Sequence, residues 1–127
     1  MSIRYRFRYF LEWGGPCLWA DNDPASDAFG IGSIDLRKLP LSEATVQLAK
    51  QTIAWHDQAL NWDYPPDPGP WRQAECDRFN QASRQLFDRI YQELGPMYEV
   101  CYQQPDLVED PDLDVYLRDP GNFRRDR

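Results

Sequence analysis

With 127 residues, 42% of them hydrophobic and 28% charged, the chain has the composition of a globular domain rather than of a disordered or fibrous polypeptide. No apolar run approaches the ~20 residues that a membrane-spanning helix needs. The formal charge of −7 disfavours a phosphate backbone as partner and favours a basic protein. That charge is uneven: +2 over residues 1–13 (three arginines against Glu12), −6 over 14–103 (7 basic, 13 acidic) and −3 over 104–127 (4 basic, 7 acidic).

The N-terminus alternates, with Ile3, Tyr5, Phe7, Tyr9 and Leu11 set against Arg4, Arg6, Arg8, Phe10 and Glu12. A period of two rich in aromatics predicts a β-strand, and a signal peptide, whose apolar region is continuous, is not expected. The arginines then share one strand face, either solvated or a basic contact patch. Gly14-Gly15-Pro16 breaks the pattern, and Cys17 to Ala20 is short and apolar enough to return as a hairpin partner. Asp21-Asn22-Asp23-Pro24 begins like a calcium loop but has Ser26 and Gly32 where glycine and glutamate are required. It reads instead as a short helix with Asp23 as N-cap, Pro24 in its first turn and Gly30 as its stop.

A longer helix is predicted after Pro40-Leu41-Ser42, with Ser42 as cap. Its apolar arc carries Leu48, Thr52, Trp55 and Ala59 beside Val46, Ala49, Ile53 and Leu60. His56, the only histidine, falls inside that arc, which predicts a buried ring hydrogen-bonded to the backbone rather than a ligand or base. Asp57 lies at the polar edge. The next helix is predicted from about Arg72 to Leu94, with Cys76, Phe79, Ser83, Leu86, Phe87, Ile90 and Leu94 on one stripe, and Gly95-Pro96 ends it. Met97 to Gln103 alternates again and predicts a strand. Residues 104–127 are proline-containing and acidic, and are expected to form a partly irregular extension in which only Leu113 to Leu117 could hold a short strand.

Cys17, Cys76 and Cys101 are odd in number and widely spaced, which fits reduced thiols in a bacterial-type cytoplasm better than disulfides or zinc. Cys76 and Cys101 are expected to be buried. With scattered cysteines and one histidine, no metal or other cofactor is expected, and nucleophilic triads and phosphate-binding loops are absent from the sequence.

Between the two long helices stands Trp55-His-Asp-Gln-Ala-Leu-Asn-Trp-Asp-Tyr-Pro-Pro-Asp-Pro-Gly-Pro-Trp71, with three of the five tryptophans and four of the eleven prolines. Tryptophan and tyrosine give large, stiff contact area, and prolines fix the backbone beneath them. Either this is a rigid connector whose Trp62 and Trp71 enter the core, or Trp62, Asp63, Tyr64 and Asp67, with Asp57 beside them, form an exposed partner-binding rim for a basic protein. Tyr64-Pro65 is a candidate cis bond. Asp21, Asp23, Asp57, Asp63 and Asp67 could also converge as paired carboxylates, the basis of an alternative reading as a small hydrolase.

These segments, together with Glu12-Trp13-Gly14-Gly15, Arg78-Phe79-Asn80 and Glu93-Leu94-Gly95-Pro96, resemble a group of short, uncharacterised bacterial proteins over about residues 7–102. Arg72 stands where those relatives tend to carry a helix-capping serine. The resemblance implies no catalytic residue and no cofactor. By analogy the group's small, acidic character is similar to that of immunity proteins that neutralise toxins.

The expectation is therefore an α+β fold: a small antiparallel sheet, from the N-terminal hairpin and the strand near 97–103, with two antiparallel helices on one face. Residues 1–103 are read as one domain and 104–127 as an extension. The function expected is protein binding without catalysis, most concretely by an immunity protein blocking a basic toxin domain in the cytoplasm, with neither nucleic acid nor membrane as partner. A small hydrolase and a housekeeping scaffold are the alternatives.

Overall fold

A computed structural model describes residues 2–125. In chain order it has β1 (Tyr5–Tyr9), β2 (Leu18–Ala20), α1 (Asp23–Phe29), α2 (Glu43–Asp57), α3 (Gln73–Leu94), β3 (Tyr98–Tyr102) and α4 (Leu113–Arg118), with 3-10 turns at Leu36–Lys38 and Pro120–Asn122. This is the α+β fold expected, with one correction to the sheet. Its order is β2-β1-β3; β1 is antiparallel to β2, with Arg8 opposite Trp19, and parallel to β3, with Phe7 opposite Val100. The sheet is mixed.

Counting reversals explains the direction. The Ser42 backbone N–H and Thr45 hydroxyl at the start of α2 donate to Glu93 at the end of α3, whereas Trp55 at the end of α2 donates to Glu75 near the start of α3, so these helices are antiparallel. Gly95 (φ 86°) turns the chain sharply into β3, and the far end of that strand returns to Ser83 through Tyr102. The hairpin, the return from β2 into α2, the helix pair and this last turn make four reversals, an even number that brings β3 back parallel to β1.

The core lies between the sheet and the helix pair. Phe7 and Tyr9 from β1 meet Phe79, Leu86 and Ile90 from α3, all essentially inaccessible to solvent. The Tyr9 hydroxyl donates to the Ser83 carbonyl at 3.0 Å, satisfying the one polar atom that this ring carries inside. The arginine face of β1 is the solvated one: Arg6 lies 3.6 Å from Glu99 and Arg8 3.5 Å from Asp21.

Local chemistry departs from expectation at four places. Asn22, not Asp23, caps α1; its Oδ1 accepts from Ala25 N at 3.0 Å and from Arg6 N at 3.2 Å, and its Nδ2 donates to the Arg4 carbonyl at 3.1 Å, tying the helix to the N-terminal strand region. Cys101 is exposed, because it alternates with buried Val100 on the opposite face of β3, whereas Cys17 and Cys76 are buried. Residues Leu113–Arg118 are helical, not extended. Every peptide bond among the described residues is trans, Tyr64–Pro65 included.

Residues 104–125 run over the protein with regular polar anchors. Gln104 Oε1 accepts from Leu11 N at 2.7 Å; Asn80 and Leu107 exchange two hydrogen bonds of 2.8 and 2.9 Å; Leu113 and Phe123 are buried. Arg72 offers no side-chain cap to α3, and Glu109 supplies one instead, its Oε1 accepting from Gln73 N at 2.9 Å.

Candidate partner-binding site

The loop between α2 and α3 is shaped from within. Its arms approach so closely at Gly69 that a Cβ there would sit 2.1 Å from the Ala59 carbonyl oxygen. Between them Asn61, 9% exposed, uses both ends of its amide. Its Oδ1 accepts from the N–H groups of Asp63 (3.1 Å) and Tyr64 (3.2 Å), and its Nδ2 donates to the Pro68 carbonyl (3.2 Å) and the Tyr116 hydroxyl (3.0 Å). The first pair makes an Asx turn, and Asp67 N donating to the Tyr64 carbonyl closes the next turn. Pro68 is fully buried, and the four prolines fix the remaining φ angles.

A loop so constrained divides its aromatics cleanly. Trp71 (9% exposed) packs on Trp55 and Phe79, whereas Trp62 (59%) and Tyr64 (53%) stand in solvent. The Trp62 indole is nevertheless held, since Nε1 donates to the Asp57 carbonyl at 2.6 Å. Ordering an exposed tryptophan in advance removes part of the entropy cost of docking.

The five residues singled out from sequence fall in one region but in different settings. Trp62, Asp63 and Tyr64 are exposed at the loop tip. Asp57 is half-buried and its Oδ1 accepts from Gly14 N at 2.7 Å, so it clamps the β1–β2 turn against the end of α2. Asp67 is half-buried beside Arg125, whose pKa is raised first by its bond to Asp110 and further by Asp112 and Asp67. The five aspartates of the hydrolase reading are spread out: Asp21 pairs with Arg8, Asp23 opens α1, and Asp57 is taken by Gly14. Among the described residues no three His, Cys, Asp or Glu side chains are grouped so as to hold a metal ion.

Three open clefts flank the loop and share a wall with the C-terminal segment, which sequence reasoning set aside; one lies by Trp13, Gly69 and Trp71, and the other two border the loop tip. One of about 700 Å³ lies between Tyr64, Pro66 and Asp67 and the chain from Pro120 to Arg125. The other, of about 290 Å³, lies between Leu60, Trp62 and Asp63 and the α4 residues Leu113, Tyr116 and Leu117. Arg125 ties the far wall of the first cleft to the loop, donating to the Pro66 carbonyl at 3.0 Å and pairing with Asp110 and Asp112. Trp13 is also exposed here, stacked on His56 with 4.1 Å between ring centroids. His56 is 3% exposed as expected, but its Nδ1 has no hydrogen-bond partner among the described residues, and the ring is held by stacking instead. Burial lowers its pKa to about 4, against a smaller opposing effect of Asp57.

The chain belongs to the Serratia CdiI immunity protein-like family. The family model matches residues 6–105, from β1 through β3 and the whole α2–α3 loop. A search of curated proteins gave no match. Among the described residues no helix of this immunity-protein-like chain is long and apolar enough to cross a membrane.

Proposed function

We propose that the chain is a contact-dependent inhibition immunity protein that neutralises a cognate toxin domain by occupying its surface, and that the toxin domain is basic. The observation that carries this reading is the family match over residues 6–105. Inhibition by occupancy needs shape and charge, not catalysis. The α2–α3 loop offers both: Asp57 at its start and Asp63 and Asp67 within it are acidic, beside a backbone fixed by Asn61, Gly69 and the prolines. An acidic rim steers a basic partner, and stiff aromatics at its centre set the lifetime of the complex.

In this reading Trp62 and Tyr64 are the anchors, Asp63 and Asp67 supply the field, and Asp57 serves by holding Gly14 and, through its carbonyl, the Trp62 indole. The test is protection. The C-terminal domain of a large secreted protein encoded next to this chain is expressed with and without it in a sensitive host. Growth restored by the chain, together with a stable complex of the two purified proteins, is the expected result. Continued killing in its presence overturns the proposal and returns the hydrolase and scaffold readings to the fore.

A further inference from the structure

The smaller cleft at the loop tip is bounded by two very different parts of the chain. One wall is the loop tip, Trp62 and Asp63; the other is α4, contributed by residues beyond the family match, which ends at residue 105. Trp62 (59% exposed) and Leu117 (53%) flank it, an apolar pair left open to water. Both walls are braced before anything binds. The Tyr116 hydroxyl accepts from Asn61 Nδ2 at 3.0 Å, and Arg72 holds Asp114 at 2.8 Å, so α4 is fixed against the loop and against the first turn of α3. The Asp63 carboxylate at the rim has no hydrogen bond or ion pair among the described residues, whereas Asp110, Asp112 and Asp114 on the C-terminal side are all paired with arginines.

We infer that α4 is the second half of the partner-binding surface, and that the groove between Trp62 and Leu117 takes an apolar side chain of the toxin flanked by a lysine or arginine that meets Asp63. This rests on the immunity-protein reading and adds a commitment on chemistry and place. The groove is mostly apolar, open on one side and about 290 Å³. That is at the bottom of the ~300–1,000 Å³ range of small-molecule pockets, which favours a protruding side chain over an enclosed ligand. The net charge of −7 and the unpaired Asp63 select a basic neighbour for that side chain.

The experiment titrates the full chain, and three variants that keep its native unfolding temperature, against the purified toxin domain encoded beside it. Leu117→Arg is expected to weaken Kd about tenfold or more by placing a cation where a cationic, apolar segment docks. Asp63→Asn is expected to slow association and flatten its salt dependence. Val115→Arg is the control; Val115 is on the same helix and equally exposed (54%) but does not line the groove, and Kd should stay within about twofold. Parent-level affinity for Leu117→Arg, or equal losses for Leu117→Arg and Val115→Arg, overturns the groove while leaving the immunity reading standing. A parent chain that neither binds nor protects overturns both.

Discussion

Acidification should unfold this protein partly through one ring. His56 lies between Trp13, parallel to within 13° at 4.1 Å, and Phe79 at 5.4 Å, and its pKa falls from the usual 6.5 to about 4 because burial penalises the imidazolium. A charged ring on the Trp13 face would gain a cation–π term of ~0.5–2 kcal/mol, and the Asp57 carboxylate favours the same form. Both lose to desolvation, helped by the Gly14 N–H that already occupies the Asp57 carboxylate. The sign follows from the depressed value. On acidification the unfolded chain takes up its proton first, so this contribution to stability is full above pH ~6.5 and is lost progressively down to pH ~4. At ~1.4 kcal/mol per unit, the whole window is worth at most about 3.5 kcal/mol, and the interval from pH 7 to pH 5 about 2 kcal/mol. Urea unfolding of the parent and of His56→Phe at pH 7, 6 and 5 isolates it, since other groups titrate alike in both. The parent should lose about 2 kcal/mol more than the variant. As the only histidine, it gives a single titrating Hε1 NMR signal, expected to have its midpoint near 4. A midpoint near 6.5, or identical pH dependence in the two proteins, refutes the argument. At pH 7 His56→Asn should cost about 1–3 kcal/mol from lost packing, with no loss at Nδ1, which has no partner to lose.

Gly69→Ala should destabilise by about 1–3 kcal/mol, read as a lower urea midpoint, because its Cβ meets a backbone oxygen that no rotamer change can move. Asp57→Asn, which keeps an Oδ1 acceptor for Gly14 N, should leave stability nearly unchanged, whereas Asp57→Ala should cost about 1 kcal/mol by stranding that N–H; equal effects would show that the clamp is idle. Tyr64→Ala should remove about 2 kcal/mol or more of binding to the toxin domain while barely changing the melting temperature, whereas Asp63→Asn should act mainly on association rate and its salt dependence; parent-like binding by both folded variants would make the loop a connector.

The elements that sequence made legible are those whose burial follows a long, regular period. Phe79, Ser83, Leu86 and Ile90 recur along α3 at helical spacing and are all buried, and Phe7 and Tyr9 alternate inward on β1. Strand direction is of another kind, because it depends on how many times the chain reverses between β1 and β3, and no local pattern counts reversals. Leu113 to Leu117 shows the limit of short patterns. Leu113, Val115 and Leu117 satisfy a period of two, but Leu113, Tyr116 and Leu117 satisfy a period of 3.6 equally well over so few residues. Tertiary contacts decide it: Leu113 is buried, and Tyr116 reaches Asn61.

For the candidate site, sequence posed connector against contact surface as alternatives, and the structure divides the same loop into buried and exposed residues. Asn61, Pro68, Gly69 and Trp71 do the connecting, facing inward to amide, carbonyl and ring partners. Trp62, Asp63 and Tyr64 are turned outward, and the Asx turn on Asn61 Oδ1 fixes the backbone that carries Asp63 and Tyr64. What sequence could not reveal is the support from 36 to 59 residues away: Glu109 capping α3 where Arg72 cannot, Tyr116 meeting Asn61, and Arg125 reaching the Pro66 carbonyl. Each is a polar pair with no periodicity, drawn from a segment whose prolines and aspartates read as loose material. Those pairings make the C-terminal segment a brace for the loop. The loop is held from both sides, and the second side comes from the residues that looked least structured.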